Sequence, residues 1–345
     1  MQIRFIALIT LLGLALTPSA WAQQQLRVST YVPTGHWLVT QAMAQWAKEV
    51  ESATGGKLKL NIMPTPLGRP QQHFELARDG IADITLGIPG YTPGRFVVAG
   101  VGGIPNAGNY SESLGAAYWR TLQGSPDMQK EYEGTVIIGV FSTTPMGFWA
   151  TSRPIKTVDD FKGLKVHTAG GMMSDVANAL GMVPVVQPVT TAYEVLANGV
   201  VDSIIFTSDG VTSFKLDRLI KQGLTIAGGF THAPGFLVMN PAKYKALGPE
   251  LQAALKKGSE ENFARIVGRI WDQRDAAGIS GLKAAGGEVT QASPQLRDAI
   301  FERTEAAIAL WVKQAQDQRG IDGRKLVSAY RGHIRTIESE MKQGK

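Results

Sequence analysis

Cysteine is absent from the 345 residues. That excludes a disulfide scaffold, thiolate-bound zinc, iron–sulfur clusters and thiol catalysis. It leaves the compartment open, because a chain without thiols suits reducing and oxidising surroundings alike. Long apolar runs are also missing beyond the first two dozen residues, so no later segment offers the ~20 apolar residues that a membrane-spanning helix needs. Neither sign of charge dominates: 35 Lys and Arg oppose 29 Asp and Glu, a net +6. The basic residues are dispersed, as at Lys256-Lys257 and from Arg265 to Arg274. With no patch interleaved with aromatics, they argue against nucleic acid as a partner. The five histidines (His36, His73, His167, His232, His333) build no HExxH and no carboxylate cluster, so no metal is expected. G-x-S-x-G and Walker A are absent, and Gly100-Val101-Gly102-Gly103 fails the dinucleotide spacing. No cofactor is expected. A periplasmic enzyme would require a nucleophile–base pair that these residues do not assemble.

The rest of the composition is globular: 44% hydrophobic residues, 39 Gly and 17 Pro. The length suits two domains or one large α/β unit. At the N-terminus Arg4 is the sole charge before Arg27, and Phe5 to Leu16 is unbroken apolar sequence. Thr17-Pro18-Ser19 ends that run, and Ala20-Trp21-Ala22 supplies a small-x-small cleavage site. Residues 1–22 therefore read as a secretory signal peptide, since the run is too short for an anchor helix. No cysteine follows for lipid attachment, so export to the periplasm as a water-soluble protein is expected.

Beyond it the pattern alternates. Leu26–Thr30 reads as a strand and Trp37–Ser52 as a helix, with Leu38, Ala42, Trp46 and Val50 on one face. Leu58–Met63 alternates as a strand, residues 71–78 form a helix, and Ile81–Ile88 suits a buried strand. The β-α-β-α-β order predicts a parallel sheet with crossover helices. A second series follows: strands at Val136–Val140, Gly147–Thr151, Leu164–His167, Val183–Gln187 and Ser203–Thr207, helices at Met172–Leu180 and Thr190–Asn198, and a further strand at Phe236–Met239. From Pro249 to about Ala285 the sequence is nearly free of helix breakers and predicts one long helix bracing two lobes. The turn Thr168-Ala169-Gly170-Gly171, between strand and helix, has two readings. Its N–H groups suit an anion or polar ligand, or the glycines serve turn geometry alone.

Several segments carry a resemblance. Ala47-Lys48-Glu49-Val50 through Thr54-Gly55-Gly56-Lys57-Leu58, Leu67-Gly68 and Asp79-Gly80-Ile81-Ala82-Asp83 stand in the first half. Arg153-Pro154-Ile155-Lys156-Thr157 through Asp160-Phe161-Lys162-Gly163-Leu164-Lys165-Val166 follows, then Ala179-Leu180-Gly181, Tyr193-Glu194-Val195-Leu196 and Gly199-Val200-Val201-Asp202. In that order, over residues ~26–330, the chain resembles the DctP-type solute receptors of TRAP transporters. The resemblance implies an α/β, two-lobed periplasmic binding protein of the type II-like class, its lobes joined by crossing strands and a long bracing helix. It implies lobe I over 23–145 and 232–275, lobe II over 146–231 and 276–320, and a C-terminal helix over 321–345. The implied function is capture of a small organic solute and delivery to membrane-embedded TRAP subunits, by a monomer that is not an enzyme. An ABC importer or a chemoreceptor is the alternative partner.

The departures concern the ligand. Where the family's pattern sets an arginine, directly after Gly163-Leu164-Lys165-Val166, this chain has His167. Where a second arginine is often found, it has Gly147-Phe148, and Ile205-Phe206 replaces a polar pair. A neutral imidazole offers one donor and one acceptor, without the planar fork that grips a carboxylate. The expected solute is thus a small organic acid or a less charged, aromatic-bearing compound, stacking on Phe148 and Phe206 and bonding to His167, with Gly170 beside it. The competing readings put a carboxylate on Arg69 or Arg95, or make Phe148 and Phe206 core residues and His167 a turn cap. Tyr31, His36 and Tyr91 follow strand ends of the first lobe, His232 lies on the second crossing strand, and Asp209 suits a donor group of the ligand.

Overall fold

A computed structural model describes residues 23–343. The signal peptide expected over residues 1–22 lies outside the described residues.

The alternating segments form two mixed sheets. In the first, β1 (Gln24–Ser29), β2 (Leu58–Ile62) and β3 (Ile84–Gly87) run parallel, followed by β4 (Val136–Ser142). The chain then crosses into the second sheet as β5 (Gly147–Ala150), β6 (Lys165–Thr168), β7 (Val183–Val186), β8 (Ser203–Phe206) and β9 (Gln222–Thr225). It returns as β10 (Pro234–Met239), and β11 (Glu288–Gln291) completes the second sheet. The orders are β2-β1-β3-β10-β4 and β11-β9-β5-β8-β6-β7. Read from β7, the second repeats the order of the first, with β11 added at its edge. In each sheet one strand arrives from the other lobe and pairs antiparallel with both neighbours: β10 between β3 and β4, β5 between β8 and β9. These strands are buried along their whole length, as apolar strands covered on both faces must be. The polar strands β9 and β11 carry little hydrophobic signal and are not anticipated from the sequence.

The two crossings lie side by side. Met146 N donates to Thr231 O at 2.9 Å, Phe230 N to Met146 O at 3.0 Å, and Thr143 N to Ala233 O at 3.0 Å. A pair of bonded segments bends in concert, and the lobes therefore share one hinge.

The long helix expected from Pro249 is two helices, Gly248–Gly258 and Glu260–Ala284. Ser259 leaves the helical region (ψ −132°), Glu260 has a φ of 50°, and the Ser259 hydroxyl accepts the Trp46 indole N–H at 2.9 Å. A tertiary bond has overridden local helix preference. The second piece braces both lobes. Its Asp272 accepts from Ser111 N at 2.7 Å and Glu112 N at 3.2 Å, at the start of a lobe I helix. Three residues on, Asp275 accepts from Ser208 N at 2.9 Å, at the start of a lobe II helix, and from the hinge residue Thr144 through its hydroxyl at 3.0 Å. Burial raises these carboxyls to about 7 and about 6 respectively.

Glycine permits this docking. A Cβ on Gly268 would lie 2.3 Å from Glu112 Cα, and one on Gly278 2.3 Å from the Ser208 carbonyl. Gly268→Ala and Gly278→Ala should therefore each destabilise the fold by about 1–3 kcal/mol through overpacking, against the ~1 kcal/mol that helix propensity alone would add. Chemical denaturation checks this, and a raised midpoint in either variant contradicts the docking argument.

The helix Pro294–Arg319 spans the seam, packing on the lobe II helix Met172–Ala179 while Trp311 Nε1 donates to Val97 O of lobe I at 2.8 Å. The C-terminal helix runs Gly323–Gln343. It is more than a charged surface element, because Val327, Tyr330, Ile334 and Ile337 are buried against lobe I.

Candidate solute-binding cleft

Parallel strands from the two lobes present their carboxyl ends to one another, the usual place for a ligand in α/β sheets. There they bound a cleft partly open to solvent. Lobe I supplies Tyr31 and Val32 after β1, His36 and Leu38 at the following turn, and Ile88 and Tyr91 after β3. Lobe II supplies His167 at the end of β6, Ala169, Met173 and Val189, then Ile205, Phe206, Thr207, Asp209 and Gly210 around the end of β8, and Phe214. Thr143, Met146 and Ala233 come from the hinge and Trp271 from the bracing helix. Among the lining residues none is lysine or arginine.

Aromatic rings shape the walls. Tyr31 stands edge-on to Tyr91 at 6.2 Å, the His36 ring lies 5.3 Å from Phe214, and Phe214 lies 5.7 Å from Phe206. Burial lifts the Tyr91 hydroxyl to about 12 and that of Tyr31 well above its ordinary value, so both remain protonated. Tyr91 Oη accepts from Val189 N across the cleft at 3.3 Å, which leaves its own O–H able to donate.

The two histidines line the cleft from opposite lobes with opposite chemistry. His36 Nδ1 accepts from Leu38 N at 3.1 Å, so the ring's proton is on Nε2. That Nε2 is buried without a partner. Burial, aided by the charge of Arg274, lowers its pKa to about 4. His167 Nε2 lies 3.4 Å from the Pro188 carbonyl, which can only accept. We assign the proton to Nε2 on that contact, which makes the buried, unpartnered Nδ1 an acceptor. Burial brings His167 also to about 4. Both rings are neutral at pH 7.

Asp209 lines the cleft without being free. Its Oδ2 accepts the Trp37 indole N–H at 2.8 Å and its Oδ1 that of Trp271 at 2.6 Å. Trp37 belongs to lobe I and Asp209 to lobe II, so this carboxylate bonds lobe to lobe and both to the bracing helix. Arg274 stands 5.4 Å from the Trp37 ring centre, and its charge acts on both His36 and Asp209.

Of the residues singled out in the sequence, Tyr31, His36, Tyr91, His167, Phe206 and Asp209 meet in this cleft. Four do not. Phe148 is packed in the lobe II core, 5.0 Å from Phe161 and 6.3 Å from Phe230, because the alternation of β5 turns it away from the cleft. Arg69 is exposed and uses its backbone to meet Gln72 and His73. Arg95 lies over Phe74 at 4.1 Å and bonds to Glu131. His232 donates from Nε2 to Tyr330 Oη at 2.9 Å, Tyr330 in turn donating to Leu114 O. Together with Gly170 it borders an adjoining hollow that shares Ile88, Ala169, Met173 and Ala233 with the cleft. Sequence reasoning missed Met173, Val189, Phe214 and the two indoles, whose residue types are equally common in any core.

Residues 28–315 match the bacterial extracellular solute-binding proteins of family 7, DctP. The chain belongs to that family. TRAP solute-binding proteins of known structure superpose on it closely. A TRAP periplasmic solute-binding protein from Bordetella bronchiseptica, with bound (R)- and (S)-mandelate, is 31% identical, with a TM-score of 0.86 over 91% of this chain and 99% of that one. One from Rhodoferax ferrireducens, with copurified benzoate, is 26% identical, with a TM-score of 0.87 over 92% and 99%. A marine metagenome protein specific for aromatic acids, in complex with 3-hydroxybenzoate, is 25% identical, with a TM-score of 0.86 over 91% and 98%. The two-lobed α/β architecture is thus that of a TRAP solute-binding protein. This DctP protein is a receptor that takes a small solute between its lobes.

Proposed function

We propose that the chain is exported through residues 1–22, binds an aromatic monocarboxylic acid in the periplasm without transforming it, and hands it to a TRAP-type membrane carrier. The observation that carries this reading is the character of the cleft: aromatic and aliphatic walls, with neutral donors and no cationic side chain among its lining residues. Two carboxylates would require charged partners to offset their desolvation. A single carboxylate is served by His36 Nε2–H and the Tyr91 hydroxyl, each bond contributing about 1.5–3 kcal/mol because the acceptor is charged. The ring then lies among Phe206, Phe214, Ile205 and Met173. The similar proteins that hold mandelate, benzoate and 3-hydroxybenzoate support the same class. The family match favours a TRAP carrier, and no observation favours an ABC importer or chemoreceptor.

Thermal shift across a panel of acids tests the ligand class, since a ligand at a hundred times its Kd stabilises by about 2.7 kcal/mol. Stabilisation by C4-dicarboxylates alone overturns the proposal. His36→Phe should weaken benzoate-type acids about 10- to 100-fold by isothermal titration calorimetry, with His36→Gln, which keeps an N–H, recovering part of the loss.

A further inference from the structure

From the opposed polarity of the two cleft histidines, we infer that the solute carries a hydroxyl group on its ring, which donates to His167 Nδ1 while its carboxylate is held by lobe I. The inference rests on the aromatic-acid reading and names which member of that class the site selects.

The hydrogen bonds leave few alternatives. Thr143 Oγ1 donates to Thr144 O and accepts from Ala233 N. Thr207 Oγ1 accepts from Gly210 N. Asp209 has both oxygens taken by indoles. Among the histidines, serines, threonines and acids lining the cleft, the buried polar atoms left without a partner are His36 Nε2 and His167 Nδ1. The first is a donor on lobe I and the second an acceptor on lobe II, as their other ring nitrogens fix. A carboxylate set against His167 Nδ1 would place lone pair against lone pair. A bare ring edge there would leave a buried acceptor unsatisfied, at a cost of about 1–3 kcal/mol. A hydroxyl satisfies it. Sites built to bond a substrate hydroxyl discriminate strongly against analogues that lack one.

The test is a matched series titrated calorimetrically into the exported chain at pH 7: benzoate, 3- and 4-hydroxybenzoate, and the corresponding methoxybenzoates. One hydroxybenzoate is expected to bind at least about tenfold more tightly than benzoate, and its methoxy ether, which has no O–H, should lose that advantage. His167→Phe should bring the hydroxybenzoate-to-benzoate affinity ratio close to one, and His167→Gln, whose side-chain oxygen accepts, should restore it. The wild-type series decides the matter even if a variant fails to fold. Equal affinities for benzoate, both hydroxybenzoates and both ethers overturn the assignment to His167 and leave the aromatic-acid reading standing. Binding of no aromatic acid at all overturns that reading and this inference with it.

Discussion

Gly170→Ala is expected to prop the lobes apart. Gly170 follows β6 in lobe II, and a Cβ built on it would lie 2.6 Å from the carbonyl oxygen of Gly90, which follows β3 in lobe I. The obstacle is backbone, so no side-chain rotation relieves it. The clash exists in the closed arrangement, and opening the hinge removes it. Overpacking of this kind costs about 1–3 kcal/mol, which at the upper end is roughly a hundredfold in affinity for any solute that needs closure. The φ of +88° at Gly170 adds about 1 kcal/mol of strain for alanine, too little to unfold the chain. Gly171→Ala separates the two effects. Its φ of +56° with ψ −141° is a region that essentially only glycine adopts, so backbone strain alone would show there at least as strongly. Its Cβ, however, would meet Gly90 Cα at an ordinary 3.7 Å. Calorimetric affinity and the ligand-induced change in fluorescence of the six tryptophans beyond residue 22 are the readouts. Wild-type affinity in Gly170→Ala would mean that the seam is not closed at this contact.

Trp37→Phe should release the second restraint. It removes the indole N–H that bonds the Asp209 carboxylate across the cleft at 2.8 Å while keeping a ring beside Trp271, now 5.0 Å away. A hydrogen bond to a charged acceptor is worth about 1.5–3 kcal/mol, so solute affinity should fall roughly ten- to a hundredfold as the closed population drops. Asp209→Ala goes further, leaving the buried N–H groups of both Trp37 and Trp271 unpaired. Each costs about 1–3 kcal/mol, so this variant should also melt several degrees lower. Affinity unchanged in Trp37→Phe would refute the latch.

The two effects differ in kind. Gly170 marks where backbone must approach backbone, whereas Trp37 and Asp209 marks an attraction that holds the approach. Both act on the open–closed equilibrium, and a solute draws on the same equilibrium when it binds. The bracing helix links them to the hinge: Asp275 bonds the hinge hydroxyl of Thr144 and the amide of Ser208, next to Asp209.

Much of the architecture was legible in local pattern. Period-two and buried apolar segments gave most strands, the alternation with helical segments gave parallel sheets, and the strand ends carrying Tyr31, Tyr91, His167 and Phe206 pointed to one edge of each lobe. Such signals are local, because side-chain periodicity is set by backbone geometry over a few residues. Local pattern failed where a distant group intervened. The helix after Pro249 breaks at Ser259, where an indole more than two hundred positions earlier bonds. His232 resembles a ligand group, but the fold bonds its Nε2 to Tyr330 and sets it beside the adjoining hollow, outside the cleft lining.

By itself the sequence determined the fold class, the absence of thiol chemistry and the replacement of arginine by His167. Tertiary structure alone decided which cleft atoms are free to meet a solute. Asp209 is spent on two indoles, one of them 172 residues away, while His36 and His167 keep one nitrogen each. Hydrogen-bond capacity belongs to the residue type, but whether it is already used depends on neighbours that only the folded chain brings within 3 Å.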